Sequence, residues 1–278
     1  MKLGLVAFPN PVEQYVEFAA DNGFEHMEID FYSTPQWLEK FTASRIRQLR
    51  GMFEEIEISI SFHVPYTLNL AEPLPFLRTA VMKYFERVLQ IAVELNAQWV
   101  CVHPGYAIGL PQLPWIRSEA LNRLRESLEH LLPRCEALNI PIALENVNPL
   151  PPKGELVLLG DNLPEMQRVL EEFNTPFLRM VLDVGHANTA EGPVMYIQRL
   201  HQFIIGTHIH DNSGMGDEHL PLGEGTMPWD EMVEAFKSVN FSGPLNVELF
   251  DDADKLKGKH FLMELLERHG VPVKPSSK

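Results

Sequence analysis

Short apolar runs alternate with amphipathic stretches along the whole chain. The first pair is an apolar run at residues 2–8, broken at Pro9, and a stretch with helical spacing that continues to about residue 21. Asn10 and Pro11 suit the N-cap and the first position of that helix, and Asn22-Gly23 suits its end. The pattern therefore predicts a β-strand followed by an α-helix.

The same alternation continues to residue 268 and predicts seven further strand and helix pairs. The further strands are expected at residues 26–31, 56–63, 99–103, 141–145, 178–183, 203–210 and 244–248. The further helices are expected at residues 44–53, 74–95, 118–138, 163–173, 194–200, 229–239 and 254–268. Eight strands alternating with eight helices in about 270 residues are typical of an α/β fold, a single (β/α)8 TIM barrel.

The alternation contains no linker, so one barrel domain is expected over residues 1–270, with a frayed tail at residues 271–278. Three longer inserts, at residues 66–73, 105–115 and 146–160, each follow a predicted strand. They are therefore expected on the catalytic face of the barrel. A doubly wound open sheet is the alternative fold, but the first strand-to-helix turn lacks its glycine-rich phosphate-binding motif.

Composition excludes some classes of protein. Of the 278 residues, 45% are hydrophobic, which is enough for a substantial core. The N-terminal apolar run is too short for a signal peptide or a membrane span, and we expect a cytoplasmic protein. Cys101 and Cys135 lie in an apolar run and a helical run, and we expect both to be buried thiols. A net charge of −15 disfavours a broad nucleic-acid surface, although a local basic groove could survive it.

Candidate chemistry is concentrated where the predicted strands end. The last six of the eight strands each end in a residue type that binds metals: His63, His103, Glu145, Asp183, His210 and Glu248. With 11 His and 38 Asp and Glu among 278 residues, these types make up less than a fifth of the chain, so chance placement is improbable. A barrel brings the carboxyl ends of its strands together around one axis, and the sequence therefore predicts a metal site at that face.

Three more candidate ligands lie in the adjoining loops. His186 follows Asp183 by three residues, and Asp217 and His219 lie in the loop after the seventh strand. Nine ligands exceed what one ion needs and could hold two or three ions. The expected range is one to three divalent ions per chain, with Zn favoured and Mn, Co, Mg or Fe as alternatives. The competing interpretation is a solvated acidic loop with incidental histidines.

The positions differ in how readily a purely structural role explains them. A histidine at a strand end could simply bond to backbone. Glu145 and Glu248 close apolar strands, where a buried carboxylate is costly without a cation or a hydrogen-bond donor. His208 shares a strand face with His210, and we favour His210 as the ligand because it is terminal and is followed by polar residues.

These motifs resemble the xylose isomerase-like TIM barrel superfamily, which contains sugar isomerases and epimerases as well as endonuclease IV-type nucleases of AP endonuclease family 2. Residues 63–70, His-Val-Pro-Tyr-Thr-Leu-Asn-Leu, resemble the His-x-x-Tyr-x-x-Asn segment of the nuclease branch. Three further motifs follow in the order of that family: His103-Pro104-Gly105, Glu145-Asn146 and Asp183-x-x-His186. The resemblance covers nearly the whole chain.

The resemblance implies a ligand set for each branch. The nuclease branch binds three zinc ions, and this chain has counterparts of all nine ligands: His63, His103, Glu145, Asp183, His186, His210, Asp217, His219 and Glu248. In the isomerase and epimerase branch, the implied ligands are Glu145, Asp183, His210 and Glu248. There the two glutamates also form the catalytic proton-transfer pair.

Departures from the nuclease branch favour the other interpretation, although neither branch matches completely and a third group with its own small substrate is left open. The segment before Asp217 is shorter than in that branch, and Glu218 stands where the branch has an Arg. Residues 219–225, followed by Trp229, instead resemble the sugar isomerase and epimerase members. We therefore favour a metal-dependent sugar or sugar-phosphate isomerase or epimerase. A zinc-dependent phosphodiester hydrolase of the endonuclease IV type is the alternative, and a non-catalytic metal-binding barrel is the lesser alternative.

In the favoured interpretation, a bound metal polarises a sugar carbonyl while Glu145 and Glu248 exchange the α-proton through an enediolate. The expected partner is a small carbohydrate; DNA is a partner only for the hydrolase, no membrane contact is expected, and the oligomeric state is left open. Tyr66 could line a sugar pocket or stack on a base. The candidate substrate-binding residues are Tyr66, Asn69, Asn146 and His208.

Overall fold

Eight parallel strands close into a barrel in the computed structural model, which describes residues 1–31, 37–109, 113–151 and 154–273. Strand β1 pairs with both β2 and β10, and this pairing closes the barrel. The barrel strands are β1 (Lys2–Ala7), β2 (His26–Asp30), β3 (Ser59–His63), β4 (Val100–Val102), β6 (Ile142–Glu145), β8 (Leu178–Asp183), β9 (Ile204–Ile209) and β10 (Pro244–Val247). The predicted (β/α)8 fold is confirmed.

Helices lie between successive barrel strands. They are α1 (Val12–Asn22), α2 (Ala43–Glu55), α3 (Pro75–Glu94), α4 (Pro114–Leu138), α5 (Leu163–Phe173), α6 (Val184–Asn188), α7 (Pro193–Leu200), α8 (Trp229–Ser238) and α9 (Asp252–Arg268). The predicted end of α1 is confirmed, because Gly23 adopts the left-handed conformation (φ 62°) that favours glycine. Its predicted start is wrong by one residue: Pro11 occupies the N-cap, and no side chain caps the helix there.

Each barrel strand buries two different faces. On β2, Met27 and Ile29 belong to the large apolar core between the barrel and its helices. The alternate residues His26 and Glu28 are also fully buried, and by the two-residue period of a strand they point into the barrel interior. Four apolar residues form a second, smaller core cluster with the same inward alternation: Trp99, Cys101, Ala143 and Val181. The barrel interior is therefore partly polar beneath the predicted site.

Two short strands that the sequence did not predict form a separate antiparallel sheet. Strand β5 (Tyr106–Ile108) follows β4, and β7 (Leu156–Leu158) follows β6. Both lie in inserts that were expected on the catalytic face. Parts of these inserts, residues 110–112 and 152–153, lie outside the described residues, as do residues 274–278 of the predicted tail.

Cys101 and Cys135 are buried and free, as predicted. Among the helices in the described part of the chain, none combines the length and the apolar character needed to cross a membrane.

Candidate metal centre

Glu145 lies at the centre of the predicted site. It ends β6 and is almost fully buried. Its Oε2 lies 2.8 Å from Nε2 of His63, at the end of β3, and 3.3 Å from Nε2 of His103, just after β4. Its Oε1 lies 3.1 Å from Nδ1 of His208 on β9. One carboxylate thus contacts three histidines, which lie on β3, just after β4 and on β9.

The Glu145 carboxylate belongs to a group of four donors, which we call the central donor group. Its members are Glu145, Asp183, His208 and Glu248, whose donor atoms all lie within 4.8 Å of one another. Nδ1 of His208 lies 3.6 Å from Oε2 of Glu248 and 3.9 Å from Oδ2 of Asp183. Three carboxylates and one imidazole therefore converge on one point.

The imidazole in this group is that of His208, whereas the sequence favoured His210. Strand register is the reason. Asp183 on β8 is level with His208 on β9, so the two side chains lie side by side. His210 lies two residues farther along the chain, and its Nε2 is 3.2 Å from Oδ1 of Asp183.

A second group, which we call the loop donor group, consists of His186, His210, Asp217 and His219. Asp217 bridges it: Oδ2 lies 3.3 Å from Nε2 of His186, and Oδ1 lies 3.1 Å from Nε2 of His219. The rings of His210 and His219 stack at 3.9 Å. The structure therefore brings together all nine residues that the sequence predicted as ligands, together with His208.

Two backbone features permit this packing. A Cβ atom on Gly185 would lie 2.1 Å from Cε1 of His210, so only glycine leaves room for that ring against α6. His219 has φ 48°, a left-handed conformation that is uncommon for residues other than glycine. Strained backbone of this kind is frequent at functional sites.

The ionisable groups perturb one another strongly. Burial alone would raise the pKa of Asp183, but the charges of His186 and His210 lower it to about 2. Burial likewise acts against the ionised form of Glu145, but the charge of His208 and hydrogen bonds from His208 and His63 hold its pKa well below the usual range. Carboxylates therefore stay ionised in a buried site.

The pKa values of two neighbouring histidines shift in opposite directions. Burial would lower the pKa of His63, but its hydrogen bond to Glu145 raises it to about 9. Burial lowers the pKa of His103 to about 3, outweighing the nearby charge of Glu145. His103 is therefore a neutral imidazole, the form that can bind a metal.

The residues present fit a divalent cation. Ionised carboxylates held this close repel one another unless a positive charge lies between them. Among the described residues, Nδ1 of His63 and Nδ1 of His103 are buried without a hydrogen-bond partner. Imidazole nitrogen and carboxylate oxygen are donors that suit Zn, Mn, Fe and Co.

The donors open into a cleft of about 310 Å³. One wall is apolar, formed by Val6, Phe8, Leu249 and Phe250, while the floor carries the histidines and carboxylates. The predicted substrate-binding residue Tyr66 lines this cleft, with its ring centroid 4.3 Å from that of His103. Such a cleft suits a small molecule with one apolar and one polar face.

Asn69 and Asn146, which the sequence placed among the substrate-binding candidates, are buried and bonded to backbone. The amide of Asn146 donates to O of Asp183 and accepts from N of Asp183, both at 2.9 Å. The amide of Asn69 pairs with N and O of Tyr106 in the same way and also accepts from N of Ala71. Neither is among the described residues that line the cleft, because both amides hold loops in place.

Two acidic residues differ from the sequence expectation. Glu218, which replaces the Arg of the nuclease branch, is exposed, and its carboxylate accepts from N of Ser213 at 2.6 Å. It is not among the described residues that line the cleft. Asp30, which was not predicted, ends β2 and lines the cleft, with Oδ2 at 3.8 Å from Nδ1 of His63. The strand-end argument missed it because the second strand was predicted to end at Phe31, one residue beyond the end of β2.

Comparisons with known proteins agree with this architecture. A family model described as xylose isomerase-like TIM barrel matches residues 16–269. The uncharacterized protein MJ1311 of Methanocaldococcus jannaschii is 31% identical over 276 residues, which cover 96% of this chain and 90% of that protein. A solved structure, of a D-tagatose 3-epimerase-like protein, is 28% identical, with a TM-score of 0.86 and coverage of 97% of this chain and 98% of that one.

Relatives with named activities represent both branches. Fructoselysine 3-epimerase of Escherichia coli O157:H7 is 25% identical over 247 residues, 86% of each protein. Probable endonuclease 4 of Aquifex aeolicus is 25% identical over 241 residues, 81% of this chain and 82% of that protein. The comparisons support an enzyme of the sugar isomerase and epimerase type.

Proposed function

Because the chain belongs to the xylose isomerase-like TIM barrel family, we propose that it is a metal-dependent sugar epimerase or isomerase in which Glu145 and Glu248 transfer the proton. The observation that carries the proposal is the central donor group. It contains both glutamates, with oxygens within 4.8 Å of one another, and both residues line the cleft. A proton-transfer pair needs two such groups near one carbon atom.

The two glutamates occupy different environments. Glu145 is held by His63 and His208 at 2.8 Å and 3.1 Å, and only 2% of its side chain is exposed. Glu248 is 20% exposed and lies at the edge of the group. One carboxylate therefore belongs to the floor of the cleft, and the other has access to solvent.

A divalent cation held by the central donor group would polarise the substrate carbonyl and the neighbouring hydroxyl, which lowers the pKa of the hydrogen on the carbon between them. One glutamate carboxylate removes that proton, and the electron pair of the C–H bond moves towards the carbonyl oxygen to give an enediolate. The other glutamate, in its acid form, returns a proton to the opposite face of the carbon. The configuration is thereby inverted, and proton exchange with solvent restores the original charges.

The charged residues that line the cleft favour an uncharged sugar as the substrate. Four carboxylates line the cleft, namely Asp30, Glu145, Asp217 and Glu248, and no Lys or Arg does so among the described residues. A substrate phosphate is normally bound by Arg, Lys or free backbone N–H groups. We therefore favour a free sugar over a sugar phosphate.

The helix that follows the eighth barrel strand supports the same choice. TIM barrels frequently bind phosphate beyond strands seven and eight, at the N-terminus of a helix. Here Asp251 caps α9 and accepts from N of Ala253 and N of Asp254. Asp252 and Asp254 add two carboxylates to the first turn. These two N–H groups are therefore hydrogen-bonded to Asp251 and not free to bind a phosphate, and acidic side chains lie beside them.

The apolar wall gives the cleft a second means of recognition. Phe8 and Phe250 pack edge to face, with ring centroids 6.1 Å apart. Phe250 is also 5.1 Å from the ring of His219 in the loop donor group. An aromatic surface of this kind suits the C–H face of a sugar, while the hydroxyl groups face the polar floor.

Phosphodiester hydrolysis remains the second candidate, and the loop donor group is the observation that favours it. Proton transfer needs the central donor group alone, whereas cooperating metal ions need additional donors such as His186, Asp217 and His219. The acidic cleft opposes a phosphodiester substrate for the same reason that it opposes a sugar phosphate.

A substrate panel separates the two candidates. Protein treated with chelator and then supplied with Mn, Co, Zn or Mg would be incubated with matched pairs of free ketoses and ketose phosphates, and with a duplex that contains an abasic site. The proposal predicts conversion of a free ketose to its epimer or aldose, measured by chromatography. Cleavage of the duplex without conversion of any sugar would contradict it.

A further inference from the structure

Glu28 lies beneath the central donor group in the barrel interior. It is on β2 and is fully buried. Its Oε2 accepts hydrogen bonds from Oγ of Ser61 at 2.6 Å and from Nε1 of Trp99 at 3.2 Å. Its Oε1 forms a short hydrogen bond with Nε2 of His208. A buried carboxylate is stable only with such partners, and Glu28 has three.

This contact determines which nitrogen of His208 keeps its proton when the ring binds a cation. An ionised carboxylate can only accept, so Nε2 of His208 is the donor to Glu28. Without a cation, Nδ1 likewise donates to the ionised carboxylate of Glu145. When the ring gives up that proton to bind a cation, Nδ1 is the atom with the free lone pair. It faces Oε1 of Glu145 at 3.1 Å and Oε2 of Glu248 at 3.6 Å. Glu28 therefore presents the ligand atom of the imidazole to the central donor group.

The surroundings of Glu28 restrain it in turn. Ser61 uses its single proton on Glu28, so Nε2 of His26, at 2.9 Å, donates to the Ser61 hydroxyl. The His26 ring stacks on Trp99 at 4.8 Å and 11°. Gly206 leaves room for the indole, because a Cβ atom there would lie 2.7 Å from Cζ2 of Trp99. Side chains on three sides thus restrict the carboxylate to one orientation.

We propose that Glu28 is a positioning residue that fixes the tautomer and orientation of His208, and thereby the affinity of the central donor group for a divalent cation. Carboxylates that orient metal-binding imidazoles in this way typically contribute about 10- to 100-fold in metal affinity. The inference rests on the proposed function in one respect only: both need a cation at the central donor group.

The variant Glu28→Gln tests this role because the neighbouring side chains allow only one orientation of the new amide. The indole N–H of Trp99 can only donate, so the amide oxygen of Gln must face Trp99. The amide NH2 then faces Nε2 of His208, which must accept, and the ring proton moves to Nδ1. The ligand atom is thereby blocked without a change in side-chain size.

The matched control is Glu165→Gln. Glu165 on α5 is also a buried glutamate, which pairs with Arg117 at 2.7 Å and belongs to neither donor group. Both variants and the wild type would be titrated with Co²⁺ against a competing chelator, with visible absorption as a second readout. Melting of the metal-free proteins would show that each is folded.

We expect Glu28→Gln to bind Co²⁺ about 10- to 100-fold more weakly and to alter the Co²⁺ spectrum, with Glu165→Gln like the wild type in both respects. Equal affinity and an unchanged spectrum in Glu28→Gln would overturn the inference. In the His208→Ala background, Glu28→Gln should cause no further loss; a full further loss would show that Glu28 does not act through His208.

A measurement on the wild type covers the case in which Glu28→Gln does not fold. Nitrogen-15 NMR of the Zn²⁺-loaded protein should show His208 protonated at Nε2, and protonation at Nδ1 would overturn the inference. Failure of the proposed function can be distinguished from failure of this inference. A wild type that binds Co²⁺ but converts no sugar contradicts the epimerase assignment and leaves the role of Glu28 intact. A wild type that binds no divalent cation overturns both.

Discussion

Oε2 of Glu145 lies 2.8 Å from Nε2 of His63, although 82 positions separate the two residues in the chain. They end β6 and β3, which are not neighbours in the barrel, because β4 lies between them. The contact therefore crosses the mouth of the barrel. It places the glutamate where ligand-type residues from several strands converge.

The first prediction concerns the glutamate pair. Glu145→Gln and Glu248→Gln should each reduce turnover by about 10²- to 10⁴-fold, because an amide cannot accept or return a proton. Both variants should keep the wild-type circular dichroism, since neither side chain belongs to the apolar core. Wild-type turnover in either variant would remove that residue from the proposed mechanism.

Exposed histidines provide the control for this test. His130 lies on α4, and its ring contacts Glu86 at 3.3 Å, while His201 contacts a carbonyl of its own helix. His130→Gln and His201→Gln should leave turnover unchanged within about two-fold, as is usual for surface substitutions. A large loss in either would show that the assay reports general damage to the protein.

Much of this arrangement was predictable because a barrel has a simple rule. Strand ends meet at one face, so residues such as His103 and Asp183 could be assigned to one site from their positions in the sequence. Apolar runs of five or six residues located the strands, and β8 and α5 have the predicted bounds. The rule failed to find Asp30 because the second strand was predicted one residue too long and so ended at Phe31.

Other features depend on contacts that sequence spacing does not encode. Strands β5 and β7 are three residues long and pair across about fifty positions, so neither is long enough to show a strand period in the sequence. The choice between His208 and His210 depends on the register of β9 against β8. Asn146 was expected to bind substrate because it follows Glu145, but only the fold shows that its amide is hydrogen-bonded to the backbone of Asp183.

The second prediction concerns the number of metal ions that activity requires. If the central donor group is sufficient, chelator-treated protein should regain full sugar conversion with about one equivalent of Mn or Co per chain. Elemental analysis of the reactivated protein gives the stoichiometry. Activity that appears only after two or three ions are bound would show that the loop donor group takes part in the reaction, and it would favour hydrolysis.

The third prediction concerns DNA. A duplex with an abasic site should bind weakly and be cut slowly or not at all, because a net charge of −15 and an acidic cleft repel phosphates. Incision assays over a range of salt concentrations would test this. Efficient, metal-dependent incision at low protein concentration would promote the hydrolase interpretation above the epimerase.

The fourth prediction concerns the pH dependence of stability at His269, which does not line the cleft. The ring of His269, just beyond α9, lies 2.7 Å from Asp230 and 2.6 Å from Glu234, both on α8. The hydrogen bond to Asp230 raises the pKa of His269 above its usual value, and that to Glu234 adds to the effect. The protonated ring therefore stabilises the folded state below the unfolded pKa, and this stabilisation is lost as pH rises through the folded pKa.

Urea unfolding of His269→Gln and the wild type at about pH 6 and about pH 9 measures this contribution. The variant should be less stable than the wild type at the lower pH, and the difference should shrink at the higher pH. His201→Gln, which removes an exposed histidine with no carboxylate partner among the described ion pairs, should change stability little at either pH. An equal or larger effect of His269→Gln at the higher pH would contradict the assigned ion pairs.

Exchange of solvent deuterium into a sugar tests the central claim most directly. Wild-type protein supplied with Mn or Co would be incubated in heavy water with a free ketose, and the sugar examined by NMR. Since a glutamate that has taken the proton can exchange it with solvent before returning it, deuterium should appear on the carbon next to the carbonyl. It should be absent after metal removal and in Glu145→Gln and Glu248→Gln. If no ketose, aldose or sugar phosphate shows exchange or product while a phosphodiester is cleaved, the two glutamates are not a proton-transfer pair.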